Sequence, residues 1–354
     1  DCGRKYRADH LIEQSTGLKD LEKYSASELT QLIRKYNVSC PECSGRLGEV
    51  GVFNLLFKTT IGPYSENIGY SRPETAQGMF INFHRIYHIA RRKLPLGIAQ
   101  VGKVLRNEIS PRQGLIRLRE FTIMELELFF DPKNPNCPLL HRVEEVKLRL
   151  LTEELQRKGV ENPIEVTVRE AIEENLIKNE WNAYFMALAK NFIESIGVPS
   201  CKQMFIEKLP EERAHYAAQT YDQVVQVERW GWIEVSGHAY RTDYDLKGHI
   251  KHSGKDLSAQ RILKPPKIIR RIEIKPIIGT LREDFQEVVP KIIRVLKTLN
   301  PEDIASILQN KGYIDVKIDG GSSYRLTERH IAVVIKEEKK GVEHFIPHVA
   351  EPSF

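Results

Sequence analysis

Between residues 115 and 128 the chain alternates in steps of two. Ile116, Leu118, Met124, Leu126 and Leu128 occupy even positions, and Arg117, Phe121 and Glu125 odd ones. Side chains two apart in a strand share a face. The pattern therefore predicts a strand that turns its even, apolar side to the core and presents cation, ring and carboxylate together on the open side. Arg106 and Glu108 show the same spacing before the loop ISPRQG, whose Pro111 and Gly114 mark a long hairpin tip carrying Arg112. Alternating charge on a half-solvated strand gives the same pattern. A site is favoured by the aromatic between the charges, because a guanidinium can hold phosphate while a ring offers its face to a base.

Helical spacing appears in two places before this strand. Ser25 and Glu28 form a capping box ahead of Leu29, Leu32, Ile33 and Tyr36, predicting a helix over 20–36. A second helix is predicted from about Glu74 to Arg92, with Pro73 at its start, Met79, Phe83, Ile86, Tyr87 and Ala90 on its apolar face, and Leu94-Pro95 after its end. Glu74 then stands at a positive helix terminus. His84 and His88 lie four apart on this helix, but no carboxylate follows in a zinc-protease pattern and the structural reading is preferred.

Beyond the alternating strand, residues 137 to about 200 are charged and helical in period, and predict a helical insertion. The strand GWIEV places Trp232, Glu234 and Ser236 on one face, with Glu234 either a site acid or a solvated one. Residues 258–335 predict a separate α+β lobe. Its helix has Asn300 as cap, Pro301 in the first turn, Ile304, Ile307 and Leu308 on one face and Gly312 past the end; a strand from Tyr313 to Asp319 follows. The lobe opens with RILKPPKIIRR at 261–271, which either tracks an RNA backbone or is a solvated linker.

Composition narrows this only slightly. The 354 residues allow two or three domains with a full core, and 41% hydrophobic residues are ordinary for a globular protein. No membrane-spanning stretch is present. A net charge of +5, from 53 basic and 48 acidic residues, permits an RNA partner without demanding one.

Three ordered blocks identify the family that the chain resembles. RNEISPRQGLIRLREF resembles motif 2 of class II aminoacyl-tRNA synthetases, RPETAQG at 72–78 an amino-acid-binding loop, and AEPSF at 350–354 the opening of motif 3. With GWIEVSGHAYRTDYDL at 231–246, the chain is similar to glycyl-tRNA synthetases of the archaeal and eukaryotic homodimeric type. The resemblance implies an α+β fold: a class II antiparallel β-sheet core flanked by helices, with a small zinc-knuckle segment and two insertions. The implied division is core at 1–136, with the knuckle near 1–50 and motif 2 at 104–128; helical insertion at 137–200; core at 201–257; an α+β insertion contacting the tRNA acceptor at 258–335; and core again at 336–354.

Roles follow from the same resemblance. Arg106 would hold the ATP α-phosphate, Glu108 the adenine edge, Phe121 the base by stacking and Arg117 the outer phosphates, with Glu234 near magnesium and Arg241 assisting. Glu74, Glu125, Glu351 and Ser353 would recognise glycine, a substrate that offers an ammonium but no side chain to grip. Crowding of its two α-hydrogens would exclude every larger amino acid without editing. The implied partners are tRNA(Gly), glycine and a second copy of the chain, in the cytoplasm and without a membrane. Motif 3 would continue past Phe354, and motif 1 and an anticodon-binding domain have no counterpart here. A fragment of a longer protein is therefore expected. Two other readings stay open: a synthetase-like RNA-binding protein without catalysis, and a zinc-ribbon RNA-binding module.

Five cysteines in such a chain argue against a disulfide framework. Cys40 and Cys43 form a C-x-x-C pair, and Cys2-Gly3 reads as the second half of another knuckle whose first thiol precedes Asp1. Tetrahedral zinc takes four ligands, so Cys2, Cys40 and Cys43 are the expected metal ligands, with an upstream thiolate or His10 as the fourth. Cys137 and Cys201 read as lone thiols.

Overall fold

The computed structural model describes every residue except 1, 20, 64–65, 110–113 and 319–320. The expected hairpin tip with Arg112 thus lies outside the described residues. The chain divides into two compact units, Asp1–Ala259 with Ile346–Phe354, and Gln260–Phe345.

The first unit opens with α1 (Ala8–Thr16) and α2 (Ala26–Lys35). Ser25 Oγ accepts from the Glu28 amide at 3.3 Å while the Glu28 carboxylate accepts from the Ser25 amide at 2.8 Å. This reciprocal cap fixes the helix start at Ala26 rather than at residue 20. Leu29 and Ile33 then pack on Leu11, Ile12 and Val38. A two-stranded pair, β1 (Lys58–Thr60) and β2 (Ile68–Tyr70), follows.

An eight-stranded sheet forms the centre of this unit. Its strands are β3 (Leu96–Leu105), β4 (Glu120–Phe130), β5 (Lys147–Leu151), β6 (Ile164–Thr167), β7 (Gln203–Glu207), β8 (Gln219–Val227), β9 (Gly231–Thr242) and β14 (His348–Ser353), in the order β3-β4-β14-β9-β8-β7-β5-β6. Neighbours run antiparallel except β5 and β7, which are parallel. Residues 348–353 are thereby inserted between β4 and β9. Helices α4 (Glu153–Arg157), α5 (Val168–Glu173) and α7 (Tyr244–Ser253) lie between strands in sequence.

Two longer helices decide which side of β4 is buried. The first, α3 (Ala76–Ile89), packs Phe83 on Phe129 with ring centroids 4.4 Å apart and Phe80 on the same ring at 5.9 Å. All three rings are fully buried, and each such side chain contributes about 1.5–3 kcal/mol by leaving water. The second, α6 (Glu180–Ser195), lies on the opposite face, where Trp181 joins Leu128, Phe130 and Ala350. The expectation for residues 116–128 is therefore corrected. The odd positions Ile123, Glu125, Glu127 and Phe129 are all buried, whereas on the even side only Leu128, as expected, and Phe130 are; Met124 is 42% exposed, and Ile116 and Leu118 lie before the strand and are exposed. The cause is α3, whose Phe80 and Phe83 pack on Phe129 and whose N-cap Thr75 meets Glu125, while Phe121 near the start of the strand stays half-exposed; α6 covers the C-terminal end of the even face.

The 137–200 span is corrected as well. It holds α4, α5 and α6, but also β5 and β6, which complete the main sheet. Runs of four or five residues carry too little period-2 signal to stand out beside charged helical neighbours.

The second unit has a core of Leu281, Ile292, Leu296, Ile304, Leu308, Val316 and Leu326. These come from α8 (Ile278–Phe285), α9 (Val289–Leu296), α10 (Pro301–Lys311) and the hairpin of β11 (Tyr313–Lys317) and β12 (Ser323–Thr327). Asn300 caps α10 by accepting from the Glu302 amide at 3.1 Å, and Gly312 ends it with φ at 76°. A ribbon of β10 (Ala259–Pro276) and β13 (Ile331–Phe345) belongs to this unit. The lobe therefore runs to Phe345 instead of residue 335, because the return strand stays paired with β10.

Candidate active site

An open cavity of about 630 Å3 lies over β4, β9 and the end of β14, within the size range of small-molecule sites. It is lined by Arg106, Glu108, Arg117, Phe121, Glu234 and Ser353, six of the residues expected from sequence. Arg106 leaves β3 just before the loop, bridged to Leu56, and its Nε donates to the Pro73 carbonyl at 3.1 Å. Its guanidinium sits 5.3 Å from the Phe121 ring centroid. Arg117 Nη1 lies 3.9 Å from Glu108 Oε2, an exposed pair that contributes little to stability and leaves both groups open to a ligand. A cation beside an open aromatic face can take a phosphate and stack a base.

Trp232 and Glu234 also face the cavity, but Ser236 does not share their face. The pairing of β8 with β9 goes from Gln223–Ser236 to Val224–Glu234 and skips Val235. This bulge reverses the alternation. Ser236 turns into the core, donating to Gln223 Oε1 at 2.8 Å and bonding His238 Nε2 at 3.0 Å. Asp222, next to Glu234 in charge influence, is ion-paired with Lys208.

Beneath the cavity lies a buried acidic pocket. Thr75 is the N-cap of α3, yet its side chain makes no cap bond. Its amide donates to Glu125 Oε2 at 2.5 Å and its hydroxyl to the same oxygen. The positive end of a helix thereby points at a buried carboxylate. Ser353 Oγ lies 3.5 Å from Glu125 Oε1, and Ser353 pairs with Glu125 across β14 and β4. Glu74 accepts from Gln77 Nε2 at 3.0 Å, and the same amide nitrogen lies 3.4 Å from Asp245. Gly102 gives room for this loop: a Cβ there would lie 2.5 Å from Arg72 Nη2.

Arg241 is 1% exposed and is not among the residues that line the cavity. Its Nη1 donates to Glu351 Oε2 at 2.8 Å, and Nε and Nη2 to Asp245 at 2.8 and 3.0 Å. Its guanidinium also stacks 3.9 Å from the Tyr216 ring centroid. Burial disfavours its charge, but Glu351 and Asp245 outweigh this and hold its pKa well above the usual value. In this structure its hydrogen bonds thus go to Glu351 and Asp245. For Glu351, burial raises the carboxyl, Arg241 opposes this, and Glu125 and Glu74 add to the rise. The three acids therefore act as one charge cluster.

Glu127, Asp245, Tyr216 and Thr75 escaped the sequence reading. For Glu127 the signal was its two-residue step from Glu125. Asp245 stands four residues after Arg241, a step that supports an ion pair. Tyr216 and Thr75 carry no comparable mark.

Cys2, Cys40 and Cys43 gather with all three Sγ atoms within 4.8 Å. Cys2 and Cys40 Sγ lie 3.6 Å apart, close to the roughly 3.7 Å that follows for two thiolates about 2.3 Å from a tetrahedral zinc. The Tyr6 hydroxyl, 3.3 Å from Cys40 Sγ, helps bring that thiol down to about 7, toward the metal-binding thiolate. His10 is not part of this group. Among the described residues no helix is long and apolar enough to cross a membrane.

No protein-family model matches the chain. Curated relatives do. A glycine-tRNA ligase of Aeropyrum pernix is 44% identical over 355 residues, covering 100% of this chain and 60% of that protein. One of Pyrococcus abyssi is 45% identical over 356 residues, 100% of this chain and 61% of that protein. One of Methanocaldococcus jannaschii is 41% identical over 362 residues, 100% and 62% respectively. The chain is thus similar to these ligases over its whole length and spans about 60% of theirs. A solved Giardia lamblia prolyl-tRNA synthetase in complex with prolyl-adenylate shares 15% identity at a TM-score of 0.35, over 55% of this chain and 30% of that one.

Proposed function

We infer that this chain is the adenylate-forming portion of a glycine-tRNA ligase. The observation that carries this reading is the junction of two sites in one place: an open cavity lined by Arg106, Arg117 and Phe121 above a buried pocket of Glu125, Glu351 and Ser353. Whole-length similarity to glycine-tRNA ligases supports the same assignment. A binding protein without catalysis is disfavoured, since Arg106, Glu108, Glu74, Glu125 and Glu351 all stand in place.

In the proposed reaction the glycine carboxylate attacks the α-phosphorus of ATP, a P–O bond to glycine forms, and the bond to pyrophosphate breaks. Charge gathers on the phosphoryl oxygens, and Arg106 with Arg117 would neutralise it. Phe121 stacks on adenine and Glu108 reads its edge. Glu74, Glu125 and Glu351 accept from the substrate ammonium, with Ser353 beside them. Magnesium would supply further charge neutralisation at the phosphates, and Glu234, a single carboxylate on the cavity wall, fits a metal held largely by phosphate and water. In the second step the terminal ribose 3′-hydroxyl of tRNA(Gly) attacks the adenylate carbonyl and AMP leaves. The cysteine cluster fits a structural zinc, completed by a fourth ligand from outside the three thiols. A homodimer working in the cytoplasm completes the reading.

The 260–345 unit is proposed to meet the tRNA acceptor arm through Lys264, Lys267, Arg270 and Arg271. Arg270 lies 2.9 Å from Glu337 and Arg271 4.0 Å from Glu338, exposed pairs that a phosphate can displace. Pyrophosphate exchange in the intact protein across a panel of amino acids tests the central reading. Exchange with glycine alone is expected, and exchange with another amino acid, or with none, refutes it.

A further inference from the structure

Glu127 is 0% exposed, and neither of its carboxyl oxygens has a hydrogen-bond partner. The neighbouring buried acids Glu125 and Glu351 are both bonded, which makes this one exceptional. It shares the odd face of β4 with Glu125. The register of β4 with β14 pairs Leu128 with Ala350 and Glu125 with Ser353, which sets Glu127 directly opposite Glu351. The remaining elements packed around it bring Arg241 from β9 and Asp245 from α7 within charge influence. From β3 comes apolar Ile98, its cross-strand partner, and from α3 the buried rings of Phe80 and Phe83.

Arg241 therefore stands among four acids, and three of its five N–H donors go to Asp245 and Glu351 while none reaches Glu127. An ionised Glu127 would be a buried charge with no donor, facing a like charge across the sheet, and both conditions disfavour it. A neutral carboxyl resolves both. Resting on the ligase reading, we propose that Glu127 is a permanently protonated acid that positions Glu351. Its uncharged carboxyl fills the floor between Glu125 and Glu351, so that Arg241 remains with Glu351 and no further charge joins the carboxylates that meet the substrate ammonium.

Burial pushes the Glu127 carboxyl well above the usual range, and the charge of Glu351 adds to the shift. Glu351 is also raised, so the two acids titrate as a pair. The proton belongs on Glu127, because Glu351 has the Arg241 bond and Glu127 has none.

The test compares Glu127→Gln, Glu127→Met and Glu125→Gln in the intact protein. Gln keeps the shape of a neutral acid, so Glu127→Gln is expected to hold the glycine KM within about twofold of wild type while Glu127→Met raises it by about tenfold. Glu125→Gln should raise it at least as far as Met does. A second readout needs no activity. An acid whose folded pKa is raised gives stability that is full below its unfolded pKa and fades as pH rises toward the folded value. The Tm of Glu127→Gln relative to wild type should therefore climb from pH 5 to pH 8. The infrared spectrum at pH 8 should also show a protonated-carboxyl stretch that both Glu127 variants lack.

A Glu127→Gln variant that loses glycine as Glu125→Gln does, a Tm difference that is flat with pH, or no such infrared band would overturn the proposal. Equal KM values for the Met and Gln variants would remove the positioning role. Absence of glycine activation in wild type would instead strike the ligase reading, and the Tm and infrared results would still decide the protonation state.

Discussion

Replacing Arg241 with Met removes the single cation that holds the pocket together while keeping most of its apolar stem. The guanidinium is 1% exposed and makes three bonds of 2.8–3.0 Å to Asp245 and Glu351. Losing one partner of a buried ion pair costs roughly 3–5 kcal/mol, because the other charge stays buried and unpaired. Three charge-assisted bonds, each contributing about 1.5–3 kcal/mol and not additive, lead to a similar figure. At about 2–4 °C per kcal/mol, the expected fall in Tm is on the order of 6–20 °C. The loss should also depend on pH. Without Arg241, nothing opposes the rise that burial gives the Glu351 carboxyl, so the variant is penalised as pH rises past the ordinary carboxylate range and relieved as pH falls. Thermal unfolding followed by circular dichroism at several pH values is the assay, and the gap from wild type should be wide at pH 8 and narrow near pH 4. A drop under about 2 °C, or a gap that does not change with pH, would refute the view that Arg241 neutralises Asp245 and Glu351.

Glu125→Gln is expected to raise the glycine KM by about 10- to 100-fold, the loss of one hydrogen bond to a charged group, with the ATP KM nearly constant; a change confined to ATP would reassign the residue. Arg106→Ala should lower glycine-dependent pyrophosphate exchange by roughly 10²- to 10³-fold at unaltered Tm, and near-normal exchange would remove it from the phosphate site. Cys40→Ser should abolish a stoichiometric zinc signal in elemental analysis and expose the segment around α1 and α2 to protease, since the folding of such knuckles depends on metal; retained zinc would exclude Cys40 as a ligand. Neutralising Lys264, Lys267, Arg270 and Arg271 should leave pyrophosphate exchange intact but weaken tRNA charging, with the salt dependence of tRNA affinity shallower by about 0.7–0.9 for each phosphate no longer neutralised. Unchanged charging at every salt concentration would leave the 261–271 stretch as solvated ribbon.

Local rules settled much of this chain before any packing was known. Asn300 and Gly312 marked both ends of α10, and Ser25 with Glu28 marked the cap at which α2 starts although the helix was expected from residue 20, because caps act within one turn. The blocks at 72–78, 106–127 and 350–354 carried the residues that meet at the cavity and the acidic pocket, because charge and ring chemistry are written in residue type. What the sequence could not decide was which side of an element another element would cover. Alternation along β4 named two faces, and only the docking of α3 made the odd face, with its two glutamates, the buried one. The skipped Val235 turned Ser236 inward, and the pairing of β13 with β10 carried the second unit to Phe345. Glu127 and Arg241 acquired their meaning in the same way. Protonation and ion pairing depend on what is buried beside a group, and residues far away along the chain supply that environment only once the sheet has formed.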